Sequence, residues 1–203
     1  FRAPSLSDLT AFDATSAVET PTPGLAPEKY LQFEVGVKGK YDFLRFDAAY
    51  FYTLIDSQIT QSPTGVLING TPEVVKTNDG KGWQQGIEAR AEYTFFKQWT
   101  PWANFTWNEG EVDQFAFTTN NKMRAPLARQ MPLTGHLGLR YQSTAGKWWI
   151  EAVGTFAGRQ DKLSLRDRVD SRRIPPGGTP GYALLTVRGS AEIRENLFIS
   201  GGV

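Results

Sequence analysis

The chain has no cysteine, a single histidine and two methionines. Disulfides and thiol chemistry are therefore excluded, while the redox compartment stays open, because an oxidising one does not oblige a chain to use them. It has no run of 18 apolar residues and its mean hydropathy is −0.38, which removes a membrane-spanning helix. That absence leaves open a wall of strands, which needs apolar residues at only every second position. Charge of one sign is also missing: 22 basic and 21 acidic residues give a net +1, which argues for neither a nucleic-acid binder nor an acidic scavenger. Helix-period stretches are scarce. The chain opens on Phe1 without an initiator Met or a secretory signal and stops inside an alternating run, Leu197 to Val203. The expectation is a piece of a longer polypeptide.

What is present is alternation. From Gly86 to Phe95, Ile87, Ala89, Ala91, Tyr93 and Phe95 interleave with Gly86, Glu88, Arg90, Glu92 and Thr94, a period of two that puts an apolar set and a charged set on opposite faces of a strand. Aromatics gather at the turn that follows (Tyr93, Phe95, Trp99), which suits a wall facing lipid with an interfacial ring. Aromatic content of 13%, 20 Gly and 12 Pro fit many strands joined by turn-rich loops. The same pattern predicts eight strands: Tyr30 to Lys38, Phe43 to Ile59, Gly82 to Phe96, Trp99 to Trp107, Leu133 to Tyr141, Trp148 to Phe156, Ala183 to Ile193, and Leu197 onward.

Between them, short turns near residues 40, 97, 145 and 195 alternate with long loops at 60–81, 109–130 and 158–181, the first with room for a small hairpin at Asn69-Gly70. Residues 1 to 28 read as another long loop, too rich in Pro to sustain a ladder, with one helical turn at Ser5 to Leu9 capped by Ser5 or Ser7. Short turns at one rim and loops of about 20 residues at the other are the asymmetry of an outer-membrane barrel. An ordinary soluble antiparallel domain is the competing reading, although loops that long are uncommon in compact soluble domains. Facing follows: Leu31, Phe33, Val35, Phe46, Ile87, Ala89, Leu137, Leu139, Leu185 and Val187 outward, and Glu34, Arg45, Asp47, Glu88, Arg90, Glu92, Arg140 and Arg188 into the lumen.

Phe1-Arg2-Ala3-Pro4-Ser5-Leu6-Ser7-Asp8-Leu9, with Ala26-Pro27-Glu28-Lys29-Tyr30 leading into Phe33 to Lys38, resembles a motif of TonB-dependent outer-membrane receptors. Tyr50 to Ile59, Gly86 to Arg90, and Arg124-Ala125-Pro126 ahead of Leu133 extend the resemblance over nearly the whole chain. It implies an all-β, transmembrane, antiparallel up-and-down barrel of about 22 strands, of which residues 1–203 are a partial barrel domain without the closing strands. It also implies a plug and a TonB-binding segment outside this chain. The function implied is energy-coupled uptake of a scarce ligand such as a ferric siderophore across the outer membrane of a Gram-negative-type cell. Outer-membrane lipid and lipopolysaccharide, TonB, and a small iron chelate are the implied partners, with no nucleic acid. A passive pore or a small structural barrel is the alternative.

Catalytic and cofactor patterns are not found. His136, on a strand face directed at the lumen, has no nucleophile motif near it and reads as a hydrogen-bonded wall residue. No ligand spacing suggests a metal, and Gly177-Gly178 sits among prolines and opens no helix. Trp107 and Trp148 alternate outward, as interfacial anchors. The expectation is no enzyme, no cofactor and no metal. The candidate binding residues are on the loop 158–181, where Arg159, Lys162, Arg166, Arg168, Arg172 and Arg173 outnumber Asp161, Asp167 and Asp170. Such a surplus attracts an anionic chelate or lipopolysaccharide phosphates, since guanidinium pairs well with oxyanions.

Overall fold

A computed structural model describes residues 1–13, 17–116 and 121–203. Eight strands form an antiparallel meander in the order β2 (Lys29–Lys40), β3 (Leu44–Ile68), β4 (Thr71–Tyr93), β5 (Trp99–Phe115), β7 (Thr134–Gln142), β8 (Trp148–Ala157), β9 (Tyr182–Arg194) and β10 (Leu197–Gly202). Two short strands attach to this path. β1 (Val18–Thr20) lies parallel to β4, and β6 (Lys122–Pro126) lies antiparallel to β5. The sheet is open, with β2 and β10 each having one neighbour on this path.

Because each of the eight strands pairs antiparallel with the one next along the path, its connections fall at alternate ends. The turns at 41–43, 94–98, 143–147 and 195–196 share one rim, and the long excursions share the other, as the alternation of short and long connections implies.

Three of the expected loops are more ordered than their composition suggests. Residues 60–81 are a continuation of the β3–β4 ladder up to a two-residue turn, Asn69-Gly70, with φ of 51° and 81°. Those positive φ values at both central residues are what the tightest hairpin turn demands, and Asn-Gly supplies them at least cost. Pro63 and the Asn78-Asp79-Gly80 run do not break the ladder. They are absorbed where its register shifts, between Ile55 and Gln58, Gln58 and Thr60, and Pro63 and Leu67. β3 is 25 residues long, whereas about 9–11 suffice to cross a bilayer, so this hairpin stands well beyond the membrane. Residues 109–130 are likewise largely strand, β5 running on to Phe115 with β6 against it; positions 117–120 of that stretch lie outside the described residues. In the N-terminal stretch the expected helical turn is α1 (Leu6–Thr10), capped by Ser5, and β1 forms where no strand was expected.

Register confirms the facing. Phe46, Ala91, Ala103, Leu137, Gly154 and Leu185 are successive Cα partners and form one apolar row across five strand pairs. The next row, one residue along each strand, runs Asp47, Arg90, Asn104, His136, Thr155 and Leu184. The apolar rows are exposed: Phe33, Val35, Leu137 and Leu185 are 59–73% accessible. A water-soluble chain rarely leaves so large a contiguous greasy surface open, whereas a bilayer covers it. Packed apolar residues are few and include Val18, Val74 and Val112 near the outer rim. At the short-turn rim, aromatic rings touch in sequence, Phe43 to Tyr93, Tyr93 to Phe95, Phe95 to Trp99, Trp99 to Tyr141 and Tyr141 to Trp148, with centroids 4.8–6.5 Å apart. This is an interfacial belt.

Candidate functional site

The outer rim is organised by a clasp. Arg2 and Glu28 exchange backbone hydrogen bonds of 3.0 and 2.9 Å. Their side chains pair in a fork, Arg2 Nε and Nη2 donating to Glu28 Oε2 and Oε1 at 2.5 and 2.9 Å. Glu28 is 2% exposed, and it also accepts the Ile59 amide at 2.9 Å and the Tyr30 hydroxyl at 2.6 Å. Burial works to raise its pKa, but the bonds from Arg2, Tyr30 and Ile59 outweigh it and hold the carboxyl below the usual range. The Glu28 bond in turn raises the Arg2 guanidinium above its ordinary value. The segment 3–27 is thereby closed into a strap whose ends are tied to each other and to β3.

Inside the strap a second ion cluster fixes α1 and β1. Asp8 closes the capping box on α1, accepting the Ser5 amide at 2.9 Å and the Ser5 hydroxyl at 2.7 Å. It also receives Arg2 at 3.1 Å and Lys76 of β4 at 3.3 Å. Lys76 Nζ donates further to Glu19 at 2.9 Å and to the Ser7 carbonyl at 3.1 Å. For Asp8 burial again pushes the pKa up, and the Ser5 bonds and Lys76 pull it down to about 2. Beside this cluster β1 is held against β4 by its parallel ladder, with Val18 and Val74 both buried.

Strap, hairpin, β5 and the loop 158–181 surround a cavity of about 440 Å³. Val112 and Gln114 line it. Val112 is the Cα partner of Gly82 on the luminal face, so the cavity opens on the lumen side. Asp8, Glu19 and Lys76 form one side, and Gln58, Thr60 and Gln61 of β3 another. Gln114 fastens the loop 158–181 over the rim, accepting the Leu165 amide at 3.2 Å and donating to the Pro126 carbonyl at 2.7 Å. Polar groups of both charges and hydroxyl and amide groups suit non-covalent binding. Among the described residues no group of three or more His, Cys, Asp or Glu is placed to hold a metal ion.

The six cations of the loop do not converge. Arg166, on α2 (Leu165–Val169), lines the cavity. Lys162 instead pairs with Glu109 on the outward face, and Arg173 pairs with Asp170. Arg159 donates to the Gly177 carbonyl at 2.9 Å, and Arg168 to the Leu163 carbonyl at 3.2 Å. Arg172 is exposed. The cavity's main polar residues, Asp8, Glu19, Gln61 and Lys76, escaped the sequence reading because they come from three segments up to about 70 positions apart. Only the Arg-Ala-Pro and Pro-Glu pieces carried a signal. His136 is a wall residue as expected, its Nδ1 2.9 Å from Asn104 Oδ1.

Comparison with known proteins agrees with this architecture. A family model described as TonB dependent receptor-like, beta-barrel, matches residues 1–203. Among solved structures, the copper transporter OprC superposes with a TM-score of 0.74 at 18% identity, over 99% of this chain and 29% of that one. The ferric enterobactin receptor PfeA from Pseudomonas aeruginosa, as its G324V mutant, gives 0.63 at 18% identity, over 92% of this chain and 26% of that one. The FrpB iron transporter from Neisseria meningitidis gives 0.61 at 17%, over 83% and 25%. Compared with curated proteins by sequence, the chain matches none. It spans less than a third of the length of these structures. With lipid-facing rows, an aromatic belt, strap and family match in agreement, the chain belongs to the TonB-dependent receptor β-barrel family of the outer membrane.

Proposed function

We propose that this chain is the part of an outer-membrane receptor wall that meets an incoming ligand in TonB-driven uptake, and that the ligand is a scarce metal chelate of the ferric siderophore type. The observation that carries this reading is the cavity of about 440 Å³ at the outer, lumen-facing end of the wall, roofed by a tied strap and a loop bearing Arg166. A passive pore needs no such fastened vestibule, whereas a receptor must hold its loops ready for a ligand. The structural neighbours, a copper transporter, an iron transporter and a ferric enterobactin receptor, support the same class. Binding energy comes from hydrogen bonds and charge within the cavity, where Arg166 is the lining cation that the loop contributes toward an anionic chelate and Lys76, the other lining cation, is held by Asp8 and Glu19. TonB acts through segments outside residues 1–203, and lipopolysaccharide contacts the outward cations such as Lys162.

The test is uptake of radiolabelled iron, presented as a panel of ferric siderophores, by cells with and without the receptor and with and without TonB. Accumulation that requires both supports the proposal. Uptake that persists without TonB assigns a passive pore, and a receptor whose loss changes no uptake in the panel overturns the ligand class.

A further inference from the structure

The charges that line the vestibule do not favour a highly charged anion. Three carboxylates, Asp8, Asp13 and Glu19, stand against two cations, Lys76 and Arg166, an excess of one negative charge. The Lys76 ammonium has three donors, and it contacts Asp8 at 3.3 Å, Glu19 at 2.9 Å and the Ser7 carbonyl at 3.1 Å. Cations behind the lining are committed as well, Arg2 to Glu28 and Arg173 to Asp170. Arg166 stands outside these pairs and acts through space on Asp170. One cation is therefore turned toward a ligand, and carboxylates surround it.

The neutral part of the lining is unusual in another way. Gln58 and Thr60 both line the cavity from β3, yet Gln58 Oε1 and Thr60 Oγ1 are shielded from solvent and hydrogen-bonded to nothing. The cause is local. β3 shifts register on either side of Gln58, which is left facing Gly80, a residue with no side chain to offer, while Thr60 faces Thr77, whose hydroxyl is also unpaired. A buried polar atom without a partner is costly. Turned into the cavity, either side chain gains a bond to a ligand without breaking one inside the wall.

We propose that the vestibule selects a ferric chelate of low charge, neutral or singly negative, whose amide or hydroxyl groups bond Gln58 and Thr60 while one of its oxygens meets Arg166. A ferric tris-hydroxamate is of this class, because three singly charged hydroxamates balance Fe(III). A ferric tris-catecholate is not. Its three doubly charged catecholates leave three negative charges, of which Arg166 pairs one while Asp8, Asp13 and Glu19 repel the rest. This rests on the reading of the cavity as a ferric-chelate site and adds the charge that the site accepts.

Equilibrium binding of the two iron-labelled chelates to the purified receptor tests it. The native receptor should hold the tris-hydroxamate about tenfold more tightly than the tris-catecholate, or better. Ala128→Arg adds a cation at an exposed lining position. It should tighten the tris-catecholate about tenfold and leave the tris-hydroxamate within about twofold. Thr60→Val keeps the shape of a strand residue and removes a hydroxyl that no protein group uses, so it should weaken the tris-hydroxamate about fivefold without lowering thermal stability. The native comparison needs no variant to fold. A native preference for the tris-catecholate, no gain in Ala128→Arg, or unchanged tris-hydroxamate binding in Thr60→Val would overturn the selection and leave the chelate site standing. Binding of neither chelate would defeat the chelate site itself, and the selection with it.

Discussion

Arg2 and Glu28, 26 positions apart, are joined twice, by a reciprocal pair of backbone hydrogen bonds and by a forked side-chain pair. The two partners are unequal in burial, since Glu28 is 2% exposed while the Arg2 side chain is 48% exposed. Removing the cation therefore leaves a carboxylate in a dry site, whereas removing both leaves none. Arg2→Ala should cost on the order of 3 kcal/mol of strap docking, and the double change Arg2→Ala with Glu28→Ala less than the two single costs added. Hydrogen exchange of residues 3–27 in the assembled receptor measures both, and additive effects would show that the pair is not coupled.

The same carboxylates set a pH dependence. Asp8 and Glu28 have folded pKa values below their ordinary ones, Asp8 at about 2. A depressed acid contributes stability that is present above its unfolded pKa and is lost as pH falls through the folded value. The strap should stay docked at neutral pH and loosen as pH drops from about 4.5 toward 2. Protease cleavage within residues 3–27, followed against pH, reports this; loosening between pH 6 and 8 would contradict it.

Facing can be tested at neighbouring positions of one strand. Ala89 is the Cα partner of Ala48 and Phe105 on the apolar face, and Glu88 that of Ala49 and Thr106 on the luminal face. Ala89→Arg should destabilise the membrane-inserted receptor by about 2–4 kcal/mol. Glu88→Leu should have a smaller effect on insertion. Denaturant titration in lipid vesicles measures the two, and the opposite ranking would invert the assignment.

Gly138 lies beneath Trp102. A Cβ placed there would meet the indole ring at 2.2 Å, so the ring covers that glycine. Gly138→Ala should displace the ring and break its 2.8 Å bond to Glu151, costing about 1–3 kcal/mol for a buried carboxylate that loses one partner. A shift in tryptophan emission, absent when Trp102 is first replaced by Phe, identifies the site.

The open edges give the last prediction. β2 and β10 each present an unpaired row of backbone groups along the membrane-facing sheet, which neither lipid nor a dry surface satisfies. Residues 1–203 expressed alone should aggregate. A detergent-soluble monomer with a heat-modifiable gel shift would mean that these strands close on themselves.

Alternation by itself determined most of this wall. A period of two in Ile87 to Phe95 or Leu137 to Tyr141 has one extended solution, and its apolar face assigns the lipid side, so the membrane-level strands, their facing and the rim of each short turn are legible in the order of residues alone. Composition misled where pairing overrode it. Pro63, Asn78-Asp79-Gly80 and the segments around Val18 and Met123 look like loop, yet a bulged ladder or a neighbouring edge makes them strand, because a hydrogen-bond partner outweighs a weak local propensity. The vestibule was decided only by the tertiary structure. Lys76 meets Asp8 and Glu19 through the parallel docking of β1, and Arg166 reaches the same cavity while Lys162, four residues earlier, turns to Glu109 on the other face. Which of several similar cations points into a site depends on how a loop crosses its rim, and that is fixed by contacts such as Gln114 with Leu165, which no sequence period encodes.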